Sequence, residues 1–145
     1  MFVKVKLVEN IPEFIDAVRL RADVFIKEQG FQAGWEPDED DKISQQFIAV
    51  AGKEIVATAR LRETEKSVFK IERMAVKKAY RKQNVGKKLL EHIIEFIRKK
   101  YFPKKIWAQS QVQAHEFYEK CGFKTASKPY DLWGCPHLDM EYIMK

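Results

Sequence analysis

A run of basic and small residues in the middle of the chain has the composition of a phosphate-binding turn. Its members are Arg81, Lys82, Gln83, Asn84, Val85, Gly86, Lys87 and Lys88. Asn84 and Gly86 tolerate the positive φ angles of a tight turn, and Gly86 has no Cβ to obstruct a ligand. Apolar residues then recur at the spacing of an amphipathic helix, whose first N–H groups point outward and carry partial positive charge. We therefore predict a site for a multiply phosphorylated ligand.

Several other kinds of site are excluded by spacing. The segment lacks the Gly-x-x-x-x-Gly-Lys-Ser/Thr pattern of a Walker A loop and the three glycines of a dinucleotide-binding loop. The chain has no Gly-x-Ser-x-Gly elbow for a serine nucleophile. Cys135 and His137 stand two apart without a second ligand pair at zinc-finger spacing. We therefore expect no metal site and no covalent intermediate.

The phosphate-binding turn connects a predicted strand at 68–76 to a long predicted helix at 84–101, in which apolar residues follow a 3.6-residue period. Another strand ends near Val8 and is followed by a helix that ends near Gly30. The other predicted elements are strands at 47–50, 55–61, 105–109, 123–125 and 137–144, and a two-turn helix through Phe117 and Tyr118.

This order of elements predicts an α/β (α+β) fold in a single domain covering residues 1–145. We expect a mixed central sheet of about six to seven strands flanked by helices. The fourth and fifth strands should be parallel, because a helix connects them. Open α/β sheets bind ligands at the carboxyl ends of such strands, which is where the phosphate-binding turn lies.

Charge is distributed unevenly along the chain, which has a formal net charge of +6. Residues 77–105 contain eleven Lys and Arg against two acids, whereas residues 1–41 contain ten acids against five bases. This polarity favours one anionic and one cationic ligand over nonspecific nucleic-acid binding. No apolar run of about 20 residues and no signal peptide are present, so we expect a cytoplasmic protein without a membrane partner, as a monomer or homodimer. Cys121 and Cys135 are expected to be free thiols.

Two segments resemble sequence motifs of the GNAT superfamily of acetyl-CoA-dependent N-acetyltransferases. They read Arg81-x-x-Asn84-x-Gly86, similar to motif A, and Ala114-x-x-Phe117-Tyr118-x-x-x-Gly122-Phe123, similar to motif B. The order of predicted elements is also that of GNAT proteins and covers nearly the whole chain. Asn84 stands where motif A has its first glycine.

Five further segments are similar to the ElaA-like branch of this superfamily. They are Val24-Phe25-x-x-Glu28-Gln29, Glu36-x-Asp38-x-x-Asp41, Arg73-Met74-Ala75-Val76, Ala108-Gln109 and Pro136-His137-Leu138-x-Met140. Gln46 departs from that branch, which commonly has a histidine before the second strand. Gln111 stands where GNAT proteins commonly have an asparagine that contacts the cofactor.

The resemblance implies acetyl-CoA as cosubstrate, with no metal. Its pantetheine arm would run beside Met74, Ala75 and Val76, and the Val76 N–H would polarise the thioester carbonyl. The cofactor-binding residues would be these three, residues 81–88, Gln111 and Phe117. Tyr118 would be the general acid for the departing thiolate.

The resemblance leaves the general base open between Glu72 and His137. Strand alternation predicts that Glu72 shares one face with Met74 and Val76, while Arg73 and Ala75 share the other. The acidic residues Glu28, Glu36 and Asp38 would border the acceptor cleft and attract a cationic amine.

The function predicted from the resemblance is transfer of an acetyl group from acetyl-CoA to a primary amine of a small molecule or peptide, by direct attack. One alternative is a GNAT-fold sensor that binds acyl-CoA without turnover, since Asn84, Gln111 and Gln46 depart from the family pattern. The other is a nucleic-acid-binding domain that uses the basic residues 77–105. The aromatic residues in that range fit core positions better than a stacking platform.

Overall fold

The computed structural model describes residues 2–145, which form one mixed sheet with helices on both faces. The strands are β1 (Lys4–Leu7), β2 (Gln45–Ala51), β3 (Glu54–Glu65), β4 (Val68–Val76), β5 (Lys105–Gln111), β6 (Phe123–Thr125), β7 (Tyr130–Leu132) and β8 (Cys135–Tyr142). The helices are α1 (Ile11–Ala22), α2 (Val85–Lys100) and α3 (His115–Lys120). Their order matches the predicted α/β (α+β) arrangement.

The strand order is β1-β2-β3-β4-β5-β8-β6, and β7 pairs with β8 beyond this path. All neighbouring pairs are antiparallel except β4 and β5, which are parallel as predicted. The sheet has eight strands rather than about six to seven, because the short strand β7 was not predicted. It is only three residues long, too short to show alternation of apolar and polar residues, and a turn at Trp133 and Gly134 follows it.

Helix α2 packs against the sheet through a continuous apolar stripe. Its buried residues are Val85, Leu89, Leu90, Ile93, Ile94 and Ile97, and they join strands β2 to β5 and α3 in the main core. Helix α1 contributes Leu20 to a second, smaller cluster with Ala75 of β4, on the opposite face of the sheet. The two helices therefore clamp the carboxyl end of β4 from both sides.

The segment that follows α1 differs from the predicted single helix to Gly30. Helix α1 is capped by Asn10, which accepts from the Glu13 N–H at 2.9 Å, and α-helical geometry ends at Ala22. A wider π-helical turn, Asp23–Glu28, continues the chain and places Val24 and Phe25 against the sheet. No helix within residues 2–145 is long and apolar enough to cross a lipid bilayer.

Candidate functional site

The parallel strands β4 and β5 separate halfway along their length. They pair only from Val68–Lys105 to Lys70–Trp107, and from Trp107 onward β5 is paired only along its other edge, with β8. A gap therefore opens between the carboxyl ends of β4 and β5. It lies beside the start of α2, at the edge where the sequence predicted the ligand.

The backbone of Val76 faces this gap. Val76 and Ala57 are opposite each other, and the next N–H along β4, that of Lys77, donates to the Val56 carbonyl at 2.8 Å. In an antiparallel ladder this pattern makes Val76–Ala57 a non-hydrogen-bonded pair, so the Val76 N–H points away from β3. It is therefore directed toward the gap and can donate to a ligand there.

A bulge in β4 changes which side chains share a face. Thr58 is opposite Ala75, but Arg60 is opposite Glu72, so β4 has one extra residue between these pairs. Arg73 takes up the extra length with a φ of +51°. The predicted alternation is wrong beyond this point, because the bulge places Glu72 and Ala75 on the same face.

The turn before α2 has the left-handed conformation that its sequence permits. Lys82 and Asn84 have φ angles of +61° and +64°. Asn84 caps α2, and its carbonyl accepts the first helical hydrogen bond from the Lys88 N–H at 3.0 Å. The N–H groups of residues 85–87 precede this bond, so the helix does not use them. They can bind an anion at the end of α2.

Gly86 has a packing role that the sequence did not predict. A Cβ built on it would lie 3.3 Å from Phe117 and 3.5 Å from Val76. The glycine lets α2 begin directly against α3 and the end of β4. Its missing side chain therefore brings the helix terminus close to the gap, in addition to leaving room for a ligand.

A cleft of about 790 Å³ lies at this helix terminus, and we call it the helix cleft. The predicted cofactor residues that line it are Met74, Ala75, Val76, Arg81, Lys82, Asn84, Val85, Gly86, Lys87, Gln111 and Phe117. Gln83 and Lys88 do not line it. The Gln83 side chain donates to Ala79 O at 3.0 Å, and Lys88 Nζ donates to Val3 O at 3.2 Å.

Arg81 lines the helix cleft but is already engaged by protein groups. Its Nε donates to the Val76 carbonyl at 2.9 Å, and its Nη1 lies 2.9 Å from the Glu28 carboxylate. Arg81 therefore fixes the end of β4. Glu28, predicted to bind substrate, is held in this ion pair and does not line the helix cleft or the second cavity described below.

A second cavity of about 430 Å³ adjoins the helix cleft and is lined by four basic side chains, so we call it the arginine cavity. These are Arg60, Arg62, Lys70 and Arg73. Five residues line both spaces, namely Gln29, Met74, Gln111, Ala114 and Tyr118. Gln111 Nε2 donates to Gln29 Oε1 at 2.8 Å, which joins β5 to the segment after α1 at this boundary.

Tyr118 lies where the two cavities meet and is 8% exposed. Its ring packs edge-on against Phe117 and Phe123, with centroids 5.2 and 5.5 Å away. Burial, and to a smaller extent the nearby Cys121 thiol, raise the pKa of the Tyr118 hydroxyl to about 12. The hydroxyl therefore stays protonated at neutral pH and can act as a donor.

His137 lines the arginine cavity and is held in one orientation. Its Nδ1 lies 2.8 Å from the Cys135 carbonyl, which can only accept, so Nδ1 carries the hydrogen. The ring also stacks on Tyr130, with centroids 6.4 Å apart. In the neutral ring, Nε2 then has a lone pair available to accept a proton.

Glu72 is unsuited to the base role predicted as one of two options. Its carboxylate lies 2.6 Å from Arg60, 2.9 Å from Arg62 and 3.1 Å from Lys70. Burial alone would raise its pKa, but the hydrogen bonds from Arg62 and the charges of Lys70 and Arg60 lower the pKa to about 2. A carboxylate this weakly basic holds the cavity together rather than removing protons.

The predicted substrate carboxylates Glu36 and Asp38 are also engaged in ion pairs. Glu36 is fully buried with Arg21, and its other oxygen lies 2.7 Å from Arg73 Nε. Asp38 pairs with Arg60 at 2.6 Å and with Arg73 at 2.8 Å. These acids fasten residues 36–41 to the sheet, so they are not free to attract a cationic amine.

Gln46, which departs from the ElaA-like pattern, belongs to the same ion-pair cluster. Its Nε2 donates to Asp41 Oδ1 at 2.9 Å. Asp41 is also held by both terminal nitrogens of Arg21, each at 2.9 Å, which keep the pKa of this carboxyl well below its usual range despite burial.

An aromatic rim on the arginine cavity was missed by the sequence reasoning. Phe31 stacks on Trp35 with centroids 4.8 Å apart, and Trp133 from the β7–β8 turn lies edge-on to Trp35 at 5.1 Å. The Arg73 guanidinium lies 3.7 Å from the centre of the Trp35 ring. The tryptophans are about 100 residues apart in sequence, so no local pattern connects them.

Residues 2–145 contain no group of His, Cys, Asp or Glu side chains arranged to hold a metal ion.

Most of the predicted site residues are brought together around two adjoining spaces, the helix cleft and the arginine cavity. The unpredicted ones are mainly the cations and rings of the arginine cavity. The arrangement provides an anion-binding helix end in the helix cleft, a buried hydroxyl at the boundary and an imidazole nitrogen in the arginine cavity.

Comparison with known proteins identifies the relatives of this chain. Residues 13–144 match a family model described as an acetyltransferase (GNAT) domain. A protein of Bacillus subtilis (strain 168), named as a candidate acetyltransferase, is 34% identical over 141 residues, which are 95% of each chain. The crystal structure of Escherichia coli ElaA superposes with a TM-score of 0.88 at 23% identity, covering 98% of this chain and 100% of that one. A Bacillus subtilis acetyltransferase solved in complex with CoA has a TM-score of 0.72 at 20% identity, over 99% and 100% of the two chains.

Proposed function

The chain belongs to the GNAT family of acetyltransferases, and on this basis we propose that it transfers an acetyl group from acetyl-CoA to a primary amine. The observation that carries the proposal is that the helix cleft and the arginine cavity meet at Tyr118. A thioester bound in one and an amine bound in the other can therefore react at this boundary. The related acetyltransferase crystallised with CoA supports CoA as the carrier.

The helix cleft would hold the phosphates of acetyl-CoA mainly through backbone groups. The N–H groups of residues 85–87 would bind the pyrophosphate, and Lys82 and Lys87, which line the cleft, would supply positive charge for it or for the 3′-phosphate. The pantetheine arm would enter the gap between β4 and β5. There the Val76 N–H would donate to the thioester carbonyl and stabilise negative charge on its oxygen during attack.

Protons would move through Tyr118 at the boundary and through His137 in the arginine cavity. His137 Nε2 accepts the proton of the amine, because Nδ1 already donates to the Cys135 carbonyl. The amine nitrogen bonds to the thioester carbon, and the carbon–sulfur bond then breaks. The departing sulfur takes its proton from the Tyr118 hydroxyl, so that the products are the acetamide and CoA with its thiol.

The test is CoA thiol release from acetyl-CoA with a panel of primary amines, alongside a thermal shift with acetyl-CoA alone. We expect acetyl-CoA to raise the Tm and at least one amine to stimulate thiol release. A Tm increase without amine-dependent release would favour an acyl-CoA sensor instead. If acetyl-CoA neither shifts the Tm nor is turned over, the proposed function is wrong.

The proposal includes a cytoplasmic location, in keeping with the free thiols Cys121 and Cys135.

A further inference from the structure

We propose that the acceptor carries a carboxylate in addition to its amine, and that Lys70 and Arg62 bind this carboxylate in the arginine cavity. The inference rests on the proposed function, because it assigns the arginine cavity to the acceptor. It reverses the expectation from the sequence, in which acidic residues would select a cationic amine. The reason is that the carboxylates lining the cavity already accept hydrogen bonds from protein donors, whereas two of its basic side chains still have N–H groups to donate.

The carboxylates that line the cavity are saturated by protein donors. Glu72 Oε1 accepts from Arg62 Nη2 at 3.2 Å and lies 3.1 Å from Lys70 Nζ, and Oε2 accepts from both Arg60 and Arg62. Asp38 Oδ1 accepts from the Asp40 N–H and from Arg60, and Oδ2 accepts from Arg60 and Arg73. Neither group has capacity left to bind an ammonium ion strongly.

The basic side chains, by contrast, retain donors. An ammonium has three N–H groups, and Lys70 directs two of them to Gln109 Oε1 at 2.6 Å and to Glu72. Arg62 binds Glu72 through Nε and Nη2, and its Nη1 has no hydrogen-bond partner within residues 2–145. A ligand in this cavity is therefore offered hydrogen-bond donors by both residues.

The charge of the buried cluster points to the same ligand. Its cations are Arg21, Arg60, Arg62, Lys70 and Arg73, and its carboxylates are Glu36, Asp38, Asp41 and Glu72. Asp40 also lines the cavity, but its side chain is 45% exposed and lies 3.9 Å from Arg62. Solvent weakens this last pair, so the cluster has an excess of positive charge that a carboxylate would neutralise.

The positions of these residues fit an acceptor that reaches toward the boundary. Lys70 and Arg62 are opposite each other on β4 and β3, and Lys70 also contacts Gln109 of β5. The cavity extends from them to Tyr118 and His137. Its aromatic rim, with Trp133 56% exposed, suits an apolar or aromatic group on the same acceptor.

The experiment measures binding rather than turnover, using the products that such acceptors would give. Isothermal titration compares N-acetylphenylalanine with N-acetylphenethylamine, in the presence of CoA. The two probes differ only by the carboxylate, and neither carries an ammonium group. We expect the carboxylate to improve Kd by about tenfold or more, as hydrogen bonds to charged groups do.

Substitutions identify which residues cause the preference for the probe with a carboxylate. Lys70→Gln and Arg62→Gln should each remove most of the preference for N-acetylphenylalanine. Lys105→Gln is the matched control, because Lys105 Nζ lies 5.5 Å from the Trp107 ring, as Lys70 Nζ does at 5.0 Å, but Lys105 does not line the cavity. This control should keep the preference.

The proposal is overturned if the wild-type protein binds both probes equally, binds N-acetylphenethylamine more tightly, or binds neither. It is also overturned if the preference survives in both cavity variants. None of these outcomes depends on catalysis, so they leave acetyl-CoA turnover as a separate question. A wild-type protein that does not bind acetyl-CoA, or that releases no CoA thiol from it, would instead count against the proposed function.

Discussion

The helix cleft and the arginine cavity share one boundary but are built from different parts of the chain. Two stretches of the chain line most of the helix cleft, one from the end of β4 to the start of α2 and the other from the end of β5 through α3. The arginine cavity is lined by side chains from the segment after α1, from β3, β4 and β5 and from the β7–β8 turn, and an ion-pair cluster that includes Arg21 of α1 holds its charged residues in place. The first site depends on local conformation, whereas the second depends on many long-range ion pairs. They should therefore respond differently to substitution.

The largest expected effect is at the boundary itself. Tyr118→Phe removes the hydroxyl that we assign to the boundary of the two spaces, and should lower kcat by about 10²–10⁴-fold. The Kd for acetyl-CoA should change little, since the ring and its packing remain. Rapid measurement of thiol release and calorimetric titration of acetyl-CoA would separate the two effects. Tyr101→Phe, in a ring that packs on Phe69 away from the site, is the control. Equal activity in both variants would contradict the assignment of Tyr118.

The next largest effect tests the ion pairs of the arginine cavity. Glu72→Gln leaves the buried Arg60 and the nearby Lys70 without their shared carboxylate, and should lower the free energy of unfolding by about 3–5 kcal/mol. Urea denaturation measures this loss. Glu95→Gln removes an exposed partner of Lys99 and should leave the stability nearly unchanged, because solvent screens this pair. Similar losses in the two variants would show that the cavity does not depend on its buried pairs.

The pH dependence of stability sharpens the same contrast. The pKa of Glu72 is about 2 in the folded protein, below its ordinary value of 4.5, so Glu72 stabilises the fold at pH above about 4.5. This contribution decreases as the pH falls from about 4.5 toward 2. The difference in unfolding free energy between the wild type and Glu72→Gln should therefore shrink across this range. A difference that is constant from pH 7 to pH 3 would contradict the role given to the Glu72 charge.

The smallest effect is expected in the helix cleft, where single lysines add to a site made of backbone. Lys87→Gln should weaken acetyl-CoA binding about two- to fivefold, because exposed charges contribute about 0.5–1 kcal/mol. Lys88→Gln is a matched neighbour whose side chain reaches Val3 instead, and its Kd should stay within about twofold. Calorimetric titration at low salt makes the comparison. The assignment of Lys87 fails if both variants behave alike.

The same division explains what the sequence could predict. The helix cleft follows from neighbouring residues: a left-handed turn at Asn84, a glycine at Gly86 and an amphipathic helix after them. The parallel β4–β5 pair follows from the order of elements. Both are local or topological properties, which one sequence expresses directly.

The arginine cavity could not be predicted in this way. The acids at 36–41 look like a solvated loop until Arg21, Arg60 and Arg73 are placed against them, and these arginines come from three separate elements. The bulge was equally hidden, because a positive φ at an arginine is uncommon and nothing in the sequence around Arg73 marks it. The roles predicted for Glu36, Asp38 and Glu72 stay predictions, and the structure adds the ion-pair partners of all three, which one sequence does not reveal.

The separation of β4 from β5 also has a consequence for amide hydrogen exchange. The ladder directs the Ala75 and Lys77 amides to β3, whereas the intervening Val76 amide faces the gap. In the free protein, Val76 should exchange its hydrogen much faster than either neighbour. Of these three amides, bound acyl-CoA should slow only that of Val76. One backbone amide between two protected neighbours would thus report whether the gap is occupied, without any substitution in the protein.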